Sequence, residues 1–112
     1  MYLRTVRVTL NEGKFDEYWE WAKEIVTLWD GAKVIRAGGP YKFKDASGQD
    51  VALWITVHNT EEECRQLFAD LYQTPEGARL IALRPPLVKE TETRAFHEWD
   101  RAQAAPPVPD LS

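Results

Sequence analysis

The sequence predicts an α+β domain of ferredoxin-like βαββαβ order, a four-stranded antiparallel sheet with helices on one face. Three observations point to it. Strand-type alternation and helix-type spacing succeed one another as strand, helix, strand, strand, helix, strand between residues 2 and 96. A long aromatic-rich amphipathic pattern separates the first two strands, and a second helical pattern separates the last two. A turn-rich segment at 45–50, Asp-Ala-Ser-Gly-Gln-Asp, joins the middle strands as a hairpin. A sheet covered on one side only must find a partner for the other.

Residues 2–10 alternate: Tyr2, Val6, Val8 and Leu10 point one way with Arg4 among them, and Leu3, Thr5, Arg7 and Thr9 the other. Asn11-Glu12-Gly13 breaks this strand. A helix is expected over 14–29, with Phe15, Tyr18, Trp19, Ala22, Ile25, Val26 and Trp29 as its apolar stripe and core. Asp16 and Glu17 suit its first turn, where the helix dipole favours negative charge. Trp21 and Leu28 share a flank beside the stripe, turned toward the second helix or the C-terminal tail.

A second strand is expected over 32–37, bent or bulged at Gly38-Gly39-Pro40 and resumed over 41–44. Residues 51–58 give the strongest strand, with Val51, Leu53, Ile55 and Val57 on one face and Ala52, Trp54, Thr56 and His58 on the other. A strand apolar on both sides belongs at the centre of its sheet. Thr60 to Glu63 forms a capping box before the stripe Cys64, Leu67, Phe68, Leu71 and Tyr72. Thr74-Pro75 starts a further short helix to about residue 83, and Pro85-Pro86 stops it. The last strand covers 87–96, with Val88, Glu90, Glu92, Arg94 and Phe96 on one side.

The chain of 112 residues fits one domain, residues 1–99, followed by a Pro/Ala-rich tail, 100–112. Its single cysteine, Cys64, cannot form an internal disulfide, which suits a reducing, cytoplasmic setting. A formal charge of −4 with scattered basic residues argues against nucleic acid as a partner. There is no apolar run long enough to span a membrane and no leader-like start, so neither membrane insertion nor secretion is expected. Five tryptophans point instead to a core, an interface or an apolar pocket.

With the elements placed, the chain resembles the dimeric α/β-barrel superfamily, and within it the NIPSNAP and antibiotic-biosynthesis-monooxygenase-like families. Arg4-Thr5 carries the likeness, with Gly13 to Tyr18 entering the first helix, Leu53-Trp54, Thr74-Pro75-Glu76 and Thr93-Arg94. The resemblance covers about residues 2–96 and implies a homodimer in which two sheets face each other around a pocket. Its members include cofactor-free monooxygenases, haem degraders, cyclases and isomerases, so the fold by itself selects no reaction.

If helices cover the Val51/Leu53/Ile55/Val57 face, then Trp54, Thr56 and His58 look into the barrel beside Thr5, Arg7 and Thr9. This predicts a site for a small hydrophobic or aromatic ligand, anionic or phenolic in character. Arg7 anchors it, Trp54 and Tyr41 wall the pocket, Arg36 is a second anion contact, and His58 carries a proton. The expected activity is that of a cofactor-independent monooxygenase-like enzyme, with no cofactor and no metal. The alternative is a non-enzymatic dimeric ligand-binding or protein-interaction module whose tryptophans fill the interface. Haem degradation is disfavoured: the Asn, Trp and His set of that branch is matched here only by Trp54. His58 and His97 lack the ligand spacing of a metal centre. Glu90, Glu92 and Arg94 read as surface ion pairs, and Cys64 as a small buried hydrophobe.

Overall fold

The structure, a computed structural model, describes residues 1–97. The tail assigned to 100–112 lies outside the described residues. The elements are β1 (Tyr2–Leu10), α1 (Phe15–Gly31), β2 (Ile35–Arg36), β3 (Tyr41–Lys44), β4 (Asp50–His58), α2 (Glu61–Gln73), α3 (Pro75–Leu83) and β5 (Val88–His97), with a 3-10 turn at Pro85–Leu87 before the last strand.

The sheet is antiparallel, with the order β2-β4-β1-β5 and β3 also paired to β4. Because β2 and β3 lie along the same strand, they are two pieces of one edge strand. The arrangement is thus the four-stranded ferredoxin-like sheet with that edge broken. Gly38 and Gly39 break it at φ +97° and +81°, a region open to glycine at little cost. The Tyr41 ring packs against the same two positions, leaving no room for a Cβ at Gly38. The second strand is therefore two residues long where the sequence suggested six.

All three helices pack on one face. Thr60 caps α2 by accepting the Glu63 backbone N–H (3.1 Å). Thr74 then turns the chain, donating to the Leu71 carbonyl and accepting from the Gly77 N–H, with Pro75 opening α3. The helices meet tightly at this elbow: a Cβ on Gly77 would lie 2.1 Å from the Leu71 carbonyl oxygen.

The buried side of α1 is Tyr18, Trp21, Ala22, Ile25 and Trp29: four of these belong to the stripe expected, and the arc turns so that Trp21 is inside and Trp19 outside. Trp21 is core, its indole N–H donated to the Leu80 carbonyl of α3 at 2.7 Å. Trp19, expected in the core, is 42% exposed and stacks on Phe15 at the outer rim. The shift has a physical cause. α1 must meet both the sheet and α3, so its buried arc turns toward α3, and Trp21 has a polar atom that only the α3 backbone can satisfy there.

The sheet presents the opposite face of β4 from the one expected. Ala52, Trp54, Thr56 and His58 are buried beneath the helices, together with Tyr2, Val6, Val8 and Leu10 of β1. Leu53, Ile55 and Val57 are only half-buried on the open face, which carries Leu3, Thr5, Arg7, Ile35, Tyr41, Phe43, Glu92, Arg94 and Phe96 by register. The helices supply aromatic rings, and the flat indole of Trp54 packs edge-on to two of them, which an aliphatic side chain would not do.

Candidate functional site

β4 and α1 together place three tryptophans around one point. Trp54 meets Trp29 with ring centroids 5.0 Å apart and Trp21 at 6.4 Å, both edge-to-face. Each indole N–H is already used. Trp54 donates to the Tyr18 hydroxyl at 2.7 Å, Trp29 to the Tyr72 hydroxyl at 3.3 Å, and Trp21 to the Leu80 carbonyl. Their polar atoms are thus satisfied within the protein, and the rings are left to form walls.

These walls line a cavity of about 370 Å³ between the sheet and the helices, open to solvent on one side. That is within the range of small-molecule sites. Val6 and Val8 form part of its floor; Arg4, Tyr72, Arg84, Thr91 and Thr93 bring polar groups to it. β5 allows this by remaining exposed on its helix side, so Thr91 and Thr93 line the cavity without being covered by a helix. Arg84 leaves the end of α3 and donates to the Thr91 hydroxyl at 2.7 Å. Arg4 lies over the Phe68 ring, 4.6 Å from its centroid.

Burial pushes the Tyr18 phenol up to about 12, and it also raises Tyr72. Both hydroxyls therefore remain protonated across the physiological range. Each accepts an indole N–H and keeps its own proton to donate.

The five residues expected to share a site do not meet. Trp54 lines the cavity. His58 is on the same face but further along β4, its Nε2 2.9 Å from the Thr56 hydroxyl and its ring packed against Phe68 and Tyr2. Burial, then the nearby Arg4 charge, lowers its pKa, so the neutral ring is favoured. Arg7 and Tyr41 are on the opposite side of the sheet, Arg7 with its guanidinium over Phe43 and Tyr41 across from Leu53. Arg36 faces the helix side near the strand break, bonded to the Gly39 carbonyl and 3.5 Å from the Asp30 carboxylate. The sheet itself therefore separates Arg7 and Tyr41 from Trp54 and His58.

Two cavity residues were missed from the sequence. Arg4 gave a signal, as a cation on the apolar side of β1. Arg84 gave none, since a basic residue before Pro85-Pro86 reads as an ordinary loop. Elsewhere, Glu92 and Arg94 do pair on the open face. Cys64 is buried, and burial raises its thiol pKa, leaving it in the uncharged form of a small hydrophobe. Among the described residues, no three His, Cys, Asp or Glu side chains gather as a metal site would require.

Comparison with solved structures places this geometry. A NIPSNAP domain protein of Burkholderia xenovorans superposes with a TM-score of 0.72 at 13% identity, covering 98% of this chain and 100% of that one. A NIPSNAP family protein of Agrobacterium tumefaciens gives 0.69 at 16% identity, over 88% and 93%. The fold is that of the NIPSNAP proteins. An antibiotic biosynthesis monooxygenase shares this NIPSNAP-like fold at a TM-score of 0.62 and 14% identity, covering 89% of this chain and all of that one. No family model matches the chain. One curated relative, nicotinate N-methyltransferase 1 of Arabidopsis thaliana, is 42% identical over 52 residues. That match takes in 42% of this NIPSNAP-like chain and 14% of the relative's length.

Proposed function

We propose that this chain binds a small hydrophobic or aromatic molecule in the cavity between its sheet and helices, and that it works as a homodimer joined through the open face of the sheet. The carrying observation is the trio of tryptophans whose N–H groups are all satisfied, leaving ring faces as a lining. The hollow opens to solvent beside the exposed Thr91 and Thr93, so a small molecule has a way in. The dimer is supported by the open face, where Ile35 is 65% and Phe96 50% exposed beside half-buried Leu53, Ile55 and Val57. Apolar side chains gathered in this way mark an association surface. Arg7 and Tyr41 then belong to the contact between subunits rather than to the ligand site.

The enzymatic form of this proposal is the cofactor-independent monooxygenase-like chemistry suggested by fold likeness. Among the described residues, the lining contains no histidine, carboxylate, lysine or cysteine. A substrate that must lose a proton would therefore enter already ionised, or pass the proton to water.

The test is tryptophan fluorescence quenching by naphthyl probes, with wild type compared with Thr93→Trp, which fills the cavity from an exposed strand position. Saturable quenching in wild type and its loss in the variant, with circular dichroism unchanged, is the expected result. Equal quenching of both proteins would refute the cavity as the ligand site. Light scattering at micromolar concentration should give twice the chain mass, and Ile55→Glu should give a folded monomer; a monomeric wild type would refute the dimer.

A further inference from the structure

We infer that the cavity selects its ligand by charge: it takes a planar aromatic or conjugated molecule bearing one acidic oxygen group, and binds it as the anion through Arg4 and Arg84. This deepens the proposal above and rests on the cavity being the ligand site.

Among the described residues, the polar side chains of the cavity besides the indoles are two arginines and four hydroxyls, with no anionic acceptor. The Tyr18 and Tyr72 hydroxyls have each accepted an indole N–H, and neither O–H has an acceptor among the described residues. The guanidinium groups of Arg4 and Arg84 add further donors and two positive charges. Among the described residues, no carboxylate lines the space to balance them. The Tyr18, Tyr72, Thr91 and Thr93 hydroxyls can each donate and accept, and three of them already accept one bond. A ligand that brings acceptors and a negative charge therefore matches this lining best.

The two arginines also differ from most of their kind in this chain. Arg36, Arg65, Arg79 and Arg94 each have a carboxylate within ion-pair distance. Arg4 and Arg84 have none among the described residues, although the protein as a whole is acidic. Arg4 rests over the Phe68 ring, 4.6 Å from its centroid, and its N–H groups have no hydrogen-bond acceptor among the described residues. Arg84 gives one N–H to Thr91 and has the others to offer. Both are half-buried, so water screens them less than it screens a surface arginine. A planar oxyanion is the group that such forks hold best. The three indole walls ask for a flat apolar body attached to it.

The test uses three probes with the same rings and different heads: 2-naphthoate, uncharged 2-naphthalenemethanol and cationic 2-naphthylmethylamine. Quenching of the intrinsic tryptophan fluorescence reads their affinities. Naphthoate is expected to bind at least about tenfold more tightly than the alcohol, with the amine weakest, and added salt should erode only the naphthoate advantage. Arg84→Gln should remove about tenfold of naphthoate affinity and change alcohol binding by less than about twofold. Arg84→Lys, which keeps the charge but not the fork, should fall between them. Equal affinity for naphthoate and the alcohol would overturn charge selection while leaving the cavity as the ligand site. Absence of binding by all three probes would overturn both.

Discussion

The bond between Trp54 and Tyr18 joins the sheet to α1 at the wall of the cavity, and it can be measured by a double-mutant cycle. Tyr18 is 2% exposed and Trp54 4%, so neither group has easy access to bulk water. Tyr18→Phe leaves the Trp54 indole N–H without its acceptor, a loss of about 1–3 kcal/mol. Trp54→Phe removes the donor together with half of an indole that touches Trp21 and Trp29, a loss of about 2–3 kcal/mol. The double variant removes both partners at once, so no orphaned donor remains. It should be less unstable than the sum of the singles by about 1–2 kcal/mol. Urea unfolding followed by far-ultraviolet circular dichroism gives each free energy. In a domain of this size, each kcal/mol also lowers Tm by roughly 4–8 °C. Additivity within about 0.3 kcal/mol would refute the bond as a buried, load-sharing contact. Reduced dimer formation with unchanged stability would instead return Trp54 to the open face.

Two further predictions concern other parts of the fold. His58 has its pKa lowered from 6.5 by burial and by Arg4, so the unfolded chain binds the extra proton more readily. Its contribution to stability is complete above pH 6.5 and is lost as pH falls through the lower, folded value; Tm measured from pH 7.5 to 5 should fall more steeply for wild type than for His58→Gln, and parallel profiles would remove His58 from the account. Gly77→Ala drives a methyl group into the Leu71 carbonyl and should cost about 1–3 kcal/mol in urea unfolding, despite alanine's better helix propensity, whereas a neutral or stabilising result would show that the elbow between α2 and α3 yields easily.

The order and type of the elements were legible because each rests on local spacing: the alternation of β1, the Thr60 N-cap of α2 and the restart at Thr74-Pro75 all occur where the residues place them. What the sequence could not settle was parity. Both faces of β4 are apolar, and Leu53, Ile55 and Val57 are more aliphatic than their neighbours, so the helices seemed to belong there. The side is decided by register across β1, where Val6 sits opposite Trp54 and both are buried. A strand shows its alternation locally but shows its inner side only through its partner. The same limit affected α1, where Trp19 and Trp21 both extend plausible stripes and the backbone of a distant helix chooses between them. It also accounts for the site. Moving β4 by one face carries Trp54 and His58 away from Arg7 and Tyr41, and puts Arg4, the cation on the apolar side of β1, beside the tryptophans.

The broken strand formed by β2 and β3 weakens one of the two borders of the sheet, the other being β5, as a place for a further strand to add. An intact strand at a sheet border invites another strand to add to it, and each addition creates a fresh border, so growth by that route has no natural end. Here the border is cut into two-residue and four-residue pieces, the cut holds a proline with no N–H to give, and Lys42 and Lys44 add charge to the longer piece. A copy arriving along that line finds too short a ladder to hold it. In the proposed dimer, contact through the broad side of the sheet would use up the adhesive surface of both molecules and stop at two.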